Sequence, residues 1–325
     1  MIQEARLFST RAVSVAGQFV LGTRSRRLLI LIYHRVHERP DSMFPGQVDA
    51  ERFDWQMNLI KRHCHPMALI EGVAALRKGK LPHRAVAVTF DDGYADNATV
   101  ALQILKRHGL SATFFVSTGF LDGGCMWNDV VIESLRESRQ SSIDLSELGL
   151  GIVSLGSPVQ RGELAERVLR AVKHRPPVHR MAWVDDLAVR LRVSPPTTLM
   201  MTTKQVRQLS GAGMEVGAHT VSHPILKVLR PNEAAAEIAQ SAKVLEAVTN
   251  RPVRSFAYPN GRLGDDYTER DRDLVASIGF DHAVATNPGV ATAASDTLQL
   301  PRFTPWDRTP SRWLARLLLA YNRLG

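Results

Sequence analysis

Ala85-Val86-Ala87-Val88-Thr89-Phe90-Asp91-Asp92-Gly93-Tyr94 reads as a short, apolar, buried strand that runs directly into two carboxylates and a turn glycine. A second strand candidate, Met214-Glu215-Val216-Gly217-Ala218, ends on His219-Thr220-Val221-Ser222-His223-Pro224. Both polar motifs therefore fall at strand ends. Further strands are predicted at 28–33, 112–117, 254–258 and 281–285. Helical patterns lie between them: Ala98, Ala101, Leu102 and Leu105 before the stop Gly109, and Pro231 followed by Ile238, Ser241, Ala242 and Leu245 on one face. Alternation of this kind predicts an α/β fold with a parallel sheet, open or closed into a barrel. In either case the carboxyl ends of the strands share one rim, where residues distant in sequence converge.

The side chains brought to that rim are two carboxylates and two imidazoles. A divalent ion held by two neutral imidazoles and one carboxylate keeps a coordination position open for water, lowers that water's pKa and polarises a carbonyl oxygen. Adjacent Asp91 and Asp92 leave an extended strand in opposite directions, so one can bind metal while the other faces substrate. Each motif alone has a plainer reading. Asp-Asp-Gly is a common turn, and Pro224 biases His223 towards an extended loop in which both histidines could be surface residues. Their shared placement at strand ends favours one site.

Three motifs, Thr-Phe-Asp-Asp-Gly at 89–93, His-Thr-x-x-His-Pro at 219–224 and Phe256-Ala257-Tyr258-Pro259-Asn260-Gly261, resemble the successive signatures of the polysaccharide deacetylases, carbohydrate esterase family four. The resemblance spans roughly residues 28 to 305, interrupted by a segment the family core does not require. It implies a distorted (β/α) barrel of about seven strands, with its reactive groups at the strand ends as in other parallel barrels. It also implies metal-dependent removal of acetyl groups from N-acetylated sugars. Position by position, it makes Asp91 the catalytic base and Asp92, His219 and His223 the ligands of a divalent metal, usually zinc. Asn260 would offer its backbone N–H to an oxyanion, with Tyr258, Tyr94 and Trp127 expected around the substrate.

Two departures from the family pattern matter. Where the family often has an arginine that orients the base, two residues before the proline, this chain has Ala257; Arg302, in Leu300-Pro301-Arg302-Phe303, is the replacement candidate, and a structural ion-pair partner is its other reading. No histidine follows His282, although the family's general acid is commonly a late histidine. The branch similar to exported poly-N-acetylglucosamine deacetylases is circularly rearranged and carries its acid in an N-terminal Tyr-His-x-Val motif. Tyr33-His34-Arg35-Val36, after the apolar run Leu28-Leu29-Ile30-Leu31-Ile32, matches it and makes His34 the expected acid. A buried structural histidine is the alternative, with His37 and His282 as reserve acids.

The expected organisation is an N-terminal segment 1–24 with helical potential, a barrel from 25–120 and 201–308, a mostly helical insertion at 121–200, and a C-terminal amphipathic helix at 309–325. The insertion shows no convincing strand and ends before Thr202-Thr203-Lys204-Gln205, a capping box. Trp127 at its entrance is a packing residue or a sugar platform. With Cys64 and Cys125 as its only cysteines, the chain lacks a disulfide framework and a cysteine-rich metal site. The apolar stretch Ala12 to Leu21 is broken by Ser14, Gly17 and Gln18, a poor signal peptide and a poor membrane span. A cytoplasmic enzyme is the expectation, and a degenerate export signal its alternative.

The net charge of +9 calls for anionic surroundings, yet no nucleic-acid motif is present. The C-terminal stretch Ser311 to Arg323 places arginines and Trp313 on an amphipathic helix, which either packs on the barrel or lies on a lipid interface beside a lipid-linked glycan. The partner expected is an N-acetylated glycan; oligomeric state is not legible. Two competing readings are a hydrolase of O-acetyl esters or small cyclic amides, and a catalytically silent glycan-binding protein.

Overall fold

Residues 26–304 and 306–323 are described by a computed structural model, so the N-terminal segment 1–24 lies outside the described residues. Leu28–Tyr33 (β1) pairs in parallel with Ala85–Phe90 (β3), and every residue of both strands is buried. Uninterrupted apolar runs form such strands because both faces are covered. From β3 the parallel sheet continues through Thr113–Val116 (β4), Glu215–Ala218 (β7), Ser255–Ala257 (β8), His282–Pro288 (β9) and Leu300–Arg302 (β10). A parallel bridge between Leu31 and Phe303 returns the last strand to the first, so the seven strands form a nearly closed barrel. The short strand His65–Pro66 (β2), too brief to leave a periodic signal, adds to the edge of β3.

Alternation along the strands separates two cores. Leu28, Ile30, Ala85, Ala87, Phe115, Ala257, Val284 and Leu300 meet inside the barrel, joined by Leu69, Val73 and Leu76 of helix Leu69–Arg77 (α2). Leu29, Leu31, Val86, Val88 and Phe90 point the other way, into the larger core beneath the helices Ala50–His63 (α1) and Leu102–His108 (α3). Each aliphatic side chain so buried contributes about 1.5–3 kcal/mol. Gly217 is forced by this packing: a Cβ there would lie 2.5 Å from the Phe115 ring.

Between β4 and β7 the chain forms helices Trp127–Glu137 (α4), Pro158–Val172 (α5) and Pro177–Leu191 (α6), which bury a core of their own around Val131, Leu135, Val168 and Leu187. The expectation of no strand in this region is corrected by an antiparallel hairpin, Ser142–Asp144 (β5) with Ile152–Ser154 (β6). With three residues each and only Ile143 buried, these strands carry no readable alternation. The capping box at Thr202 and Gln205 opens helix Thr203–Gly211 (α7) as its sequence indicates. Helices Pro231–Thr249 (α8) and Glu269–Ile278 (α9) follow β7 and β8.

The last helix, Pro310–Arg323 (α10), buries Trp313, Leu314, Leu317, Leu318 and Tyr321 in the main core, with Trp313 edge-on to Trp55. The side chains that an interfacial helix would give to lipid are thus spent on the barrel. Among the described residues no helix is long and apolar enough to cross a membrane.

Candidate active site

Thr89 and Asp91 extend the inward-facing row of β3 beyond Ala85 and Ala87, and Arg302 extends the inward row of β10 beyond Leu300. The two rows meet at the carboxyl end of the barrel. Arg302 Nη1 donates to Asp91 Oδ1 at 2.7 Å and Nη2 to Oδ2 at 2.6 Å, while Nε donates to the Ala285 carbonyl and Nη1 also to Thr89 Oγ1. Both residues are almost fully buried. Burial alone would raise the Asp91 carboxyl, but the Arg302 charge, with His219 beyond it, holds it below the ordinary carboxylate range.

Asp92 turns away from that row by adopting the left-handed backbone, φ 77°, which Asp tolerates better than most residues. Its Oδ1 lies 3.4 Å from Nε2 of both His219 and His223. One ligand atom from each of the three falls within 4.8 Å of the others. His219 Nδ1 faces the Ala257 carbonyl at 2.7 Å, which makes Nδ1 the protonated nitrogen and leaves the Nε2 lone pair aimed at the site. His223 is also left-handed, φ 53°, its backbone N–H donating to Thr220 Oγ1. Burial pushes His223 down to about 4, whereas for His219 the Asp92 carboxylate overcomes burial and raises it. Burial opposes the Asp92 charge, yet the two imidazoles hold Asp92 well below its ordinary value. Two nitrogens and one oxygen converging without direct contact fit a small divalent cation.

His34 is exposed, which removes the buried structural alternative, and it lines a cavity of about 450 Å³ together with Asp92, Tyr94 and Asp129. Its backbone is pinned: Asn97 Nδ2 donates to the His34 carbonyl, and the Val36 N–H donates to Asp96, which also pairs with Arg35. The reserve acids fare differently. His282 opens β9 and faces Glu215, the first residue of β7, so it sits at the opposite end of the barrel from Asp92. His37 turns to Gln47.

Asn260, left-handed at φ 58°, lines a second pocket with Asp92, His223 and Trp127, and its N–H has no hydrogen-bond partner among the described residues. Tyr258 is a correction: it is fully buried, stacked on Tyr267 at 3.8 Å, and its hydroxyl donates to the Leu298 carbonyl, so it cannot touch substrate. The Tyr94 hydroxyl donates to Asp129, leaving only the edge of the residue to the cavity. One face of Trp127 is covered by the Arg180 guanidinium, 4.6 Å from the ring centre.

Asp129 escaped sequence reading because an acidic residue in the first turn of a helix is ordinary dipole compensation. It is 3% exposed, and burial pushes its carboxyl up to about 7 against the opposing Tyr94 hydrogen bond. Trp306, also missed, is exposed at the cavity wall near Thr304 and His34, with Arg316 over its ring.

A family model described as Polysaccharide deacetylase matches residues 78–145 and 170–282, more than half of the chain. A curated relative, the Bacillus subtilis (strain 168) protein named "Putative polysaccharide deacetylase YxkH", is 21% identical over 267 residues, 82% of this chain and 67% of the relative. Among solved structures, the Streptococcus pyogenes deacetylase PplD in complex with acetate is similar over 91% of this chain and 99% of its own, with 23% identity and a TM-score of 0.61. IcaB from Ammonifex degensii is similar over 90% and 97%, with 19% identity and a TM-score of 0.59. At these identities the solved structures establish the shared barrel, and the match to the family model goes further: the chain belongs to the polysaccharide deacetylase family.

Proposed function

We propose that the protein is a metal-dependent N-deacetylase of a glycan, releasing acetate from an N-acetylated sugar and leaving a free amine. Family membership makes it a hydrolase of the polysaccharide deacetylase class. The observation that carries the finer reading is Asp91, ionised and gripped by Arg302, immediately beside the converging Asp92, His219 and His223.

Asp92, His219 and His223 would hold a divalent ion, with zinc the metal that this donor set suits. When bound, such an ion lowers the pKa of water and polarises a carbonyl oxygen. Asp91 accepts the proton of the attacking water, Arg302 fixing which carboxylate oxygen is presented. The Asn260 N–H, which has no other partner among the described residues, donates to the oxyanion of the tetrahedral intermediate. His34 protonates the departing amine, which is a poor leaving group until it carries that proton. Trp306 gives the cavity wall an exposed aromatic face against which a pyranose ring can pack.

Acetate release with zinc supplied, measured across N-acetylated glycans, O-acetyl esters and small cyclic amides, tests the reading. Turnover confined to the N-acetylated glycans supports it. Preference for esters or cyclic amides replaces it with the neighbouring hydrolase reading, and binding without any turnover points to a silent glycan-binding protein.

A further inference from the structure

The insertion supplies the outer wall of the second pocket, about 260 Å³, and the charges there are of one sign. Arg170 and Lys173 lie at the end of α5 and just beyond it, Arg180 stands near the start of α6, and the only carboxylate in the lining is Asp92, already engaged with the histidines. Arg180 is the unusual member. It is 9% exposed, it makes no ion pair among the described residues, and its Nε is buried without a hydrogen-bond partner. Its Nη1 donates to the Lys173 carbonyl, and its flat face lies on Trp127.

A guanidinium taken out of water without a counter-charge is costly, and burial depresses its pKa accordingly. Stacking on an indole offsets part of that cost. Lys173 reaches Asp266 only at 3.9 Å and Arg170 reaches Glu166 at 3.6 Å with both side chains largely exposed, so neither cation is tightly committed. The pocket shares Asp92, His223 and Asn260 with the reactive centre, so whatever fills it lies beside the sugar being deacetylated.

We propose that this pocket is a subsite for an anionic group, a carboxylate or a phosphate, carried by the glycan next to the N-acetylated sugar, with Arg180 and Lys173 as its binding residues. This rests on the deacetylase reading and names the class of glycan it acts on. The anion would come either from a neighbouring uronic acid or from a phosphodiester at the sugar's anomeric carbon.

The test compares three substrates on the full-length, zinc-supplied protein: a neutral N-acetylglucosamine tetramer, an oligosaccharide alternating N-acetylglucosamine with glucuronate, and an N-acetylglucosamine 1-phosphodiester. At least one anionic substrate should exceed the neutral one in kcat/KM by about 10-fold or more, chiefly through KM, as expected of one charged contact. Which one does so identifies the source of the anion. In Arg180→Gln and in Lys173→Gln the ratio of anionic to neutral kcat/KM should fall towards one, and added salt should lower it in the unaltered protein. Lys173 is partly exposed, so its variant keeps the comparison sound if Arg180→Gln does not fold. A neutral substrate preferred over both anionic ones, or a ratio unchanged in the variants, overturns the subsite. Calorimetric titration of the same three compounds reads binding without turnover. If none is deacetylated the deacetylase reading fails, while tighter binding of an anionic compound, weakened in Lys173→Gln, still supports the anion subsite and equal binding of all three overturns it.

Discussion

Arg302 and Asp91 meet in a two-pronged hydrogen-bonded pair at 2.7 Å and 2.6 Å, although 211 positions separate them in the chain. The pair is possible because the barrel nearly closes, with β10 returning beside β1 and the inward rows of β3 and β10 ending at the same height. Ala257, at the position where the resemblance leads one to look for an arginine, offers its backbone carbonyl to His219. In the proposed mechanism the Arg302–Asp91 ion pair would also orient the base.

Arg302→Met should leave Asp91 as a buried carboxylate without its counter-charge, a change that costs about 3–5 kcal/mol in comparable pairs. The surviving burial then raises the Asp91 pKa, so the acidic limb of the pH profile of kcat/KM should move to higher pH. Arg302→Lys keeps the charge but lacks the planar fork and should show a smaller shift. Thermal melts and pH–rate profiles of both variants check this. A Met variant with an unmoved acidic limb would show that Arg302 does not act through Asp91.

His219→Ala, His223→Ala and Asp92→Asn should each abolish stoichiometric zinc binding while leaving the barrel folded, because these side chains lie past the strand ends and outside the apolar clusters. By contrast Asp91→Asn should retain zinc and lose turnover by about 100-fold or more, as expected for a general base. Metal analysis of the purified variants beside acetate release separates ligand from base. Full zinc occupancy in both histidine variants would dismiss the three-residue site.

The parallel α/β sheet was legible where strands are continuous apolar runs, and the boundaries at 28–33 and 85–90 coincide with β1 and β3. Closure into a barrel came from the resemblance alone, because β10, Leu300–Arg302, is three residues with a proline and an arginine. The convergence of Asp91, Asp92, His219 and His223 was legible for the same reason, since each follows a recognisable strand. What escaped depends on packing. Tyr258 looked like a site residue by its place in a motif, but its backbone parity turns the ring into the core beside Tyr267. Asp129 and Arg180 sit on helices of the insertion, where a charged residue reads as a solvated face until burial is known.

Asp129 makes the stability of the metal-free protein depend on pH. Its folded pKa, about 7, lies above the ordinary aspartate value, so between pH 4 and 7 the folded chain binds a proton that the unfolded chain has released. This contribution is complete below the unfolded pKa, declines as pH rises through that interval, and is lost above the folded pKa. Asp129→Asn keeps a partner for the Tyr94 hydroxyl without a charge to ionise. Relative to the unaltered protein, the variant should gain stability as pH is raised from 5 to 8, read from denaturant midpoints at each pH. A constant difference between the two across that range would show that Asp129 does not titrate there.

In the proposed reaction His34 would give its proton to the departing amine, and its setting separates that duty from metal binding. The side chain is exposed in the cavity that reaches Asp92, whereas its backbone is held by Asn97 and its neighbours by Asp96. Removing the imidazole in His34→Ala therefore leaves the turn and the three proposed ligands in place. Loss of the acid should lower turnover of an N-acetylated sugar by about 100-fold or more. An activated acetate ester, whose leaving group departs without protonation, should lose far less. Equal losses on both substrates would assign His34 to substrate positioning. Unchanged amide turnover would pass the role to Asp129, whose carboxyl lines the same cavity and is pushed up by burial to about 7; a double variant, His34→Ala with Asp129→Asn, should then abolish amide cleavage while zinc remains bound.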